Sequence, residues 1–136
     1  MARREINLST LPVSELMTKE VITVDMDDDI LKVAQIMWNN HIHSVVVVEQ
    51  GELFGMFTAL DLSNVLIQVE SGRGGLLVKD FMSNQWAMAI HPEASLKAAI
   101  DLMNQGKFSH LPVIDSKQIV GIIAITDIIT YIANGK

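Results

Sequence analysis

Residues 30–62 align with residues 96–128 at a constant shift of 66, without a gap. Val33 falls on Ala99, Met37 on Met103, Val47 on Val113, Gly55 on Gly121 and Asp61 on Asp127. With one residue of slippage upstream, Val13-Ser14-Glu15-Leu16-Met17-Thr18 falls over Val78-Lys79-Asp80-Phe81-Met82-Ser83. Identity is low, but residue type and punctuation recur together, which chance explains poorly. The chain is therefore two copies of one supersecondary unit, and its fold must be a small unit used twice.

Each copy predicts the same elements. A short helical turn (13–17, 78–82) leads to a short strand (about 21–24 and 87–90). A helix follows, with apolar residues at i, i+3, i+4 and i+7: Ile30, Val33, Ala34 and Met37, then Leu96, Ala99, Ile100 and Met103. Its start carries Asp27, Asp28 and Asp29 in one copy and Pro92, Glu93 and Ser95 in the other, residues suited to capping and to the helix dipole. Its end carries Asn40 or Gly106, the residue types that best tolerate a left-handed stop. Two β-branched strands come next (44–48 with 53–57, 111–114 with 119–123), joined by Glu49-Gln50-Gly51-Glu52 and by Asp115-Ser116-Lys117-Gln118, polar loops of hairpin length. A last helix (about 59–69, 125–133) closes each copy. The expected division is one module over 1–136, with a first repeat at 10–70, a linker at 71–76 and a second repeat at 77–134. Ser71-Gly72-Arg73-Gly74-Gly75 is the one flexible stretch and is short, so the two repeats are expected to pack against each other.

Composition narrows the function classes. Apolar residues make up 49% of 136 and charged residues 19%, which argues against disorder. Mean hydropathy is high, at +0.31. No apolar run approaches the ~18 residues of a membrane span, so the surplus points to surface buried against another subunit. The start has no apolar signal segment and there is no cysteine, which together fit a cytoplasmic protein and leave neither a disulfide nor a thiolate metal site. A net charge of −6 without a dense basic run argues against a nucleic-acid polymer as partner, while a small anion held by a few local donors stays open.

Two segments carry a family pattern. They are His110-Leu111-Pro112-Val113-Ile114-Asp115 and Val120-Gly121-Ile122-Ile123-Ala124-Ile125-Thr126-Asp127-Ile128. Their first-copy counterparts are Ser44-Val45-Val46-Val47-Val48-Glu49 and Phe54-Gly55-Met56-Phe57-Thr58-Ala59-Leu60-Asp61-Leu62. In this order and spacing, over roughly residues 10–134, the chain resembles a tandem pair of cystathionine-β-synthase (CBS) domains, the Bateman module. The resemblance implies a mixed α+β (α/β) fold of two β-α-β-β-α repeats packed with pseudo-twofold symmetry. It implies clefts for an adenosine-containing ligand such as AMP, ADP, ATP or S-adenosylmethionine, and a sensor that signals to an unidentified protein partner. It also implies a homodimer formed through the helices that close each repeat.

Candidate ligand residues follow from strand-to-helix corners. Gly55-x-x-Thr58-x-x-Asp61 crosses from a strand end into a helix start. The glycine lets a backbone or ligand approach, Thr58 offers a hydroxyl beside free N–H groups that suit a phosphate, and Asp61 is an acceptor. In the family the matching Asp holds both ribose hydroxyls. The same spacing is a capping-box signature that needs no ligand, and both roles can coexist. The second copy keeps Asp127 but has Ala124 in place of the family's Thr or Ser, with Thr126 displaced by two; the first copy has Val46 where the family has Pro, as Pro112 is. One occupied site per chain is therefore expected. An apolar adenine slot is expected from Thr23, Val24, Ala89 and Ile90 and from the segments holding Ile42, His43, Val45, Phe108, His110, Leu111 and Pro112. Lys107, His110, His41 and His43 are the nearby cations for a phosphate. Taken singly, each apolar residue here is more often plain core.

Other signals fail. Asp25-x-Asp27-x-Asp29 imitates a calcium loop, but Ile30 and Ile36 stand where that loop needs Gly and Glu. His41-x-His43 has no third ligand near in sequence, so no metal is expected. There is no nucleophile elbow and no Walker-type loop, so an enzyme is not expected. The rival to the sensor is a protein-interaction module whose clefts bind nothing.

Overall fold

In the computed structural model, residues 7–70, 75–82 and 89–134 are described. The linker residues 71–74 and part of the second leading strand (87–88) lie outside them. The chain forms two compact units, one of residues 22–87 and one of residues 1–21 with 88–136.

In the unit of residues 22–87, β1 (Thr23–Asp25) leads to α1 (Ile30–Asn40), then β2 (Ser44–Glu49), β3 (Glu52–Thr58) and α2 (Ala59–Glu70). The sheet order is β1-β2-β3, with β1 parallel to β2 and β2 antiparallel to β3. In the other unit, α3 (Leu96–Gly106), β4 (His110–Asp115), β5 (Gln118–Ala124) and α4 (Ile125–Asn134) repeat the plan. There Ile90 bridges Val113 in parallel, the position that Val24 takes beside Val47. Each unit is thus a β-α-β-β-α repeat of mixed α/β type. The antiparallel ladder shifts register at Val47/Val48 and again at Val113/Ile114, so even the bulge is duplicated.

The substitution of Val46 for proline has a structural effect. The Val46 N–H donates to the Ile22 carbonyl at 3.1 Å, extending the β1 ladder. Pro112 has no N–H to give, and its carbonyl accepts from Ile90 at 3.0 Å.

The compact units are not sequential halves. Residues 7–18 dock against the start of α3: Val13 N–H donates to the Ala94 carbonyl at 2.7 Å, Ser14 N–H to Pro92 at 3.0 Å and Leu96 N–H to Leu11 at 2.9 Å. Residues 75–82 do the same at the start of α1: Ile30 N–H donates to Leu76 at 3.0 Å and Val78 N–H to Asp28 at 3.0 Å. Each segment opens with a single 3₁₀ turn, Val13–Glu15 or Val78–Asp80, whose valine is fully buried. Val13 joins the core of Ile90, Leu96, Val113 and Ile123; Val78 joins that of Val24, Ile30, Val47 and Phe57.

Gly121 serves this docking. Thr18 and Ile122 exchange backbone hydrogen bonds of 2.8 and 2.9 Å, and a Cβ on Gly121 would lie 2.7 Å from Met17 Sδ and 2.9 Å from the Thr18 carbonyl. At Gly121, the counterpart of Gly55, a close approach is made by the protein's own backbone.

Helix starts follow the sequence and helix ends depart from it. Asp29 accepts from Leu31 N–H at 2.8 Å and Ser95 from Ala98 N–H at 3.1 Å, each as N-cap. The left-handed stop falls on His41 (φ 54°) and Lys107 (φ 57°), not on Asn40 and Gly106, which are the last helical residues. Ile42 N–H and Phe108 N–H then reach back to Met37 and Met103, so the hydrogen bonding of the stop carries the non-glycine residue. At Gly106 the Phe108 ring fills the space a side chain would take.

Both hairpins turn through two residues with positive φ, Gln50–Gly51 (50°, 81°) and Ser116–Lys117 (50°, 67°). That is the geometry Asn-Gly prefers, and the second turn has no glycine. The double change Ser116→Asn/Lys117→Gly should therefore raise stability by about 0.5–1 kcal/mol, read from urea unfolding at unchanged slope.

Candidate functional site

Where β3 runs into α2, the backbone changes from extended to helical and would leave N–H groups open. The sequence closes them itself. Thr58 N–H donates to Asp61 Oδ2 at 2.9 Å, the Thr58 hydroxyl donates to the same oxygen at 3.2 Å, and Asp61 N–H points back to Thr58 Oγ1 at 3.4 Å. Ala59 N–H donates to the His43 carbonyl at 2.8 Å. This is a reciprocal capping box between Thr58 and Asp61. The N–H groups expected to be free for a phosphate are thus taken at residues 58, 59 and 61, a correction to the reading from sequence. The other corner is closed in the same way with fewer bonds: Ala124 N–H donates to Asp127 Oδ2 at 2.9 Å and Ile125 N–H to the Ser109 carbonyl at 2.8 Å. Ala124 has no hydroxyl to add.

In both corners the bonds engage Oδ2, and no described residue meets Oδ1 of Asp61 or Asp127. Asp61 is half-buried, and burial raises its pKa above the ordinary 3.8 against the opposing pull of the Thr58 backbone and hydroxyl bonds. A half-desolvated carboxylate with one bare oxygen is a strong acceptor for hydroxyl donors.

The remaining candidate residues separate by burial. Val24, Val45, Ile90 and Leu111 are core members, and Pro112 is buried in β4. Their side chains hold the sheets together as core. Thr23, paired with Val46, is exposed, as is Thr126 in the first turn of α4. His110 is half-buried, pairs with Ala124 across the ladder and lies 2.9 Å from Ser109 Oγ through Nδ1.

Ile42, His43, Lys107 and Phe108 line two cavities. Ile42 and His43 line a cavity of about 670 Å³ with Ala34, Met37, Trp38, Ala59 and Leu62. Lys107 and Phe108 line its counterpart of about 320 Å³ with Ile100, Met103 and Ile125. Residues 59 and 61 are about 200° apart around the helix, so Ala59 and Asp61 serve different faces of α2. Among the described residues no group of three or more His, Asp or Glu is placed to hold a metal ion, and no helix is long and apolar enough to cross a membrane.

The chain matches the CBS domain over residues 13–68 and again over 78–134, and it belongs to that family. It is 35% identical over 117 residues to the CBS domain-containing protein YhcV of Bacillus subtilis, covering 85% of this chain and 81% of that one. Against the homoserine O-acetyltransferase of Methanosalsum zhilinae it is 30% identical over 131 residues, yet spans only 25% of that protein. Among solved structures, the CBS domain pair of protein MJ0100, in complex with 5′-methylthioadenosine and S-adenosyl-L-methionine, superposes with a TM-score of 0.82 at 22% identity, covering 93% of this chain and 99% of that one. CBSX2 in complex with AMP superposes with a TM-score of 0.72 at 21% identity, covering 91% and 97%.

Because the folded-state pKa of Asp61 is raised, its contribution to stability is complete below its unfolded value and lost as pH rises through the folded one. The melting temperature of the wild type should accordingly fall relative to Asp61→Asn as pH rises from below 3.8 through the raised pKa of Asp61. Asp61→Ala, which opens the cap, should cost about 1 kcal/mol at neutral pH. Carbon-detected NMR of the Asp61 carboxyl should show titration above 3.8.

Proposed function

We propose that this chain is a regulatory module that binds an adenosine-containing ligand, and that the Thr58–Asp61 corner holds the ribose. The observation that carries this reading is the bare Oδ1 of Asp61 beside an oxygen already fixed by Thr58. The cap holds the carboxylate rigidly and leaves one oxygen to accept the two adjacent hydroxyls of a ribose. Rigid positioning lowers the entropy cost of binding. The ligands of MJ0100 and CBSX2 give the class: 5′-methylthioadenosine, S-adenosylmethionine or AMP, with ADP and ATP in the same chemical series.

In this proposal the ligand shifts the protein between two states by its different affinity for each, and a protein partner reads the shift. The module works as a cytoplasmic homodimer, with the first corner carrying the stronger site because Thr58 supports Asp61 through both its N–H and its hydroxyl, while Ala124 gives Asp127 its N–H alone. The specific observation favouring a second reading is the closure of both corners on themselves. An interaction module with no ligand would keep the same hydrogen bonds for helix capping alone.

Calorimetric titration of the nucleotide-stripped protein with 5′-methylthioadenosine, S-adenosylmethionine, AMP, ADP and ATP separates the two. The sensor reading expects micromolar binding of at least one, weakened tenfold or more by Asp61→Ala and less by Asp127→Ala. No heat with any ligand in a folded sample supports the interaction module.

A further inference from the structure

The first repeat keeps open a hollow that the second repeat largely fills. The cavity of about 670 Å³ between α1 and α2 has apolar walls, set by Ala34, Met37, Trp38, Ala59 and Leu62. Its counterpart of about 320 Å³ occupies the matching positions of the second repeat. At the shift of 66, Ala34 becomes Ile100 and Ala59 becomes Ile125. Two alanines in place of two isoleucines leave a space within the roughly 300–1,000 Å³ that small-molecule sites use.

The polar residues of the two cavities differ in sign. His41 and His43 line the first, and no described residue bonds to either imidazole. An imidazole carries an N–H donor whether it is neutral or protonated. No carboxylate lines this cavity among the described residues, its remaining polar member being Gln35. In the second repeat Gln35 is replaced by Asp101, which pairs with Lys97 at 3.0 Å, and His43 by Ser109. At this wall α1 ends and α2 begins, so the two helix dipoles oppose each other and the imidazoles set the preference. Apolar walls with two unused N–H donors and no acid suit a ligand with an apolar body and one anionic head. A carboxylate fits those donors, offering one oxygen to each.

We propose that the α1–α2 cavity of the first repeat binds a fatty acid. Its chain lies against Trp38, Ala34 and Ala59, and its carboxylate is held by His41 and His43. Neither Thr58 nor Asp61 lines this cavity, so the site is separate from the ribose corner and stands without that reading.

Decanoate, kept below its critical micelle concentration, is titrated into the isotope-labelled full chain and followed by amide NMR. Decanol and decylammonium serve as chain-matched probes without the anionic head. The expected result is saturable shifts of the Trp38, Ile42 and Ala59 amides with decanoate, binding of decanol weaker by about tenfold or more, and none of decylammonium. Ala34→Ile/Ala59→Ile, which copies the second repeat, should abolish the shifts. His41→Gln/His43→Gln should weaken decanoate about tenfold and leave decanol unchanged, with the circular dichroism of the wild type. Equal affinity for decanoate and decanol, or equal loss of both in the histidine variant, would overturn recognition of the carboxylate. Shifts of the same amides on raising protein concentration, with no further change on adding decanoate, would mean that a second copy fills the cavity and would overturn the site. Decanoate shifts spread evenly onto residues 100–108, or absent altogether, would overturn it too.

Discussion

The docking of residues 7–18 at the start of α3, matched by residues 75–82 at the start of α1, is the contact on which the remaining structure depends. Val13 and Val78 are fully buried, and each is fixed by backbone bonds on both sides of a helix N-cap. Burying one such side chain contributes about 1.5–3 kcal/mol, and the paired N–H groups would be costly to leave unmet. The consequence is topological. Each β-α-β-β-α repeat is completed by the segment that precedes the other, so neither sequence half holds all of its own core. The chain passes between the units at residues 21/22 and 87/88.

The strand-to-helix corners show how one carboxylate can cap a helix and still keep an oxygen for further donors. A capping carboxylate needs only one oxygen for its N–H group. Asp61 spends Oδ2 on Thr58 and meets no described residue through Oδ1, while burial makes the charged form harder to sustain without further donors. A ribose would supply those donors. At Asp127 the cap is made by Ala124 N–H alone. The same backbone plan therefore gives two corners of unequal strength, and one residue, Thr58 against Ala124, makes the difference.

Much of this was legible in the sequence. The shift of 66 fixed the repeat, the paired β-branched runs with polar loops between them gave the hairpins, and Asp29 and Ser95 stood where the helix caps belong. Three features were hidden. The left-handed stops at His41 and Lys107 are set by backbone bonds to Met37 and Met103, which residue propensity does not reveal. The docking of leading segments is non-local: Val13 reads as an ordinary apolar residue until Ala94 and Leu96 are brought beside it. The surroundings of the candidates are non-local as well: Ile42 and His43 line a cavity with Ala34 and Ala59, and Lys107 and Phe108 one with Ile100 and Ile125. The apolar candidates Val24, Val45, Ile90 and Leu111 belong to the cores for the usual reason, the free energy of burial.

Native-state hydrogen exchange on the intact chain tests the central claim, that each repeat is completed by the other's leading segment. The amides of Val13, Leu96 and Ile122 should be protected to the same free energy as those of β4 and β5, and the amides of Ile30 and Val78 to that of β2 and β3. Exchange of Val13 and Val78 at the rate of an unstructured chain, with the strands still protected, would contradict it.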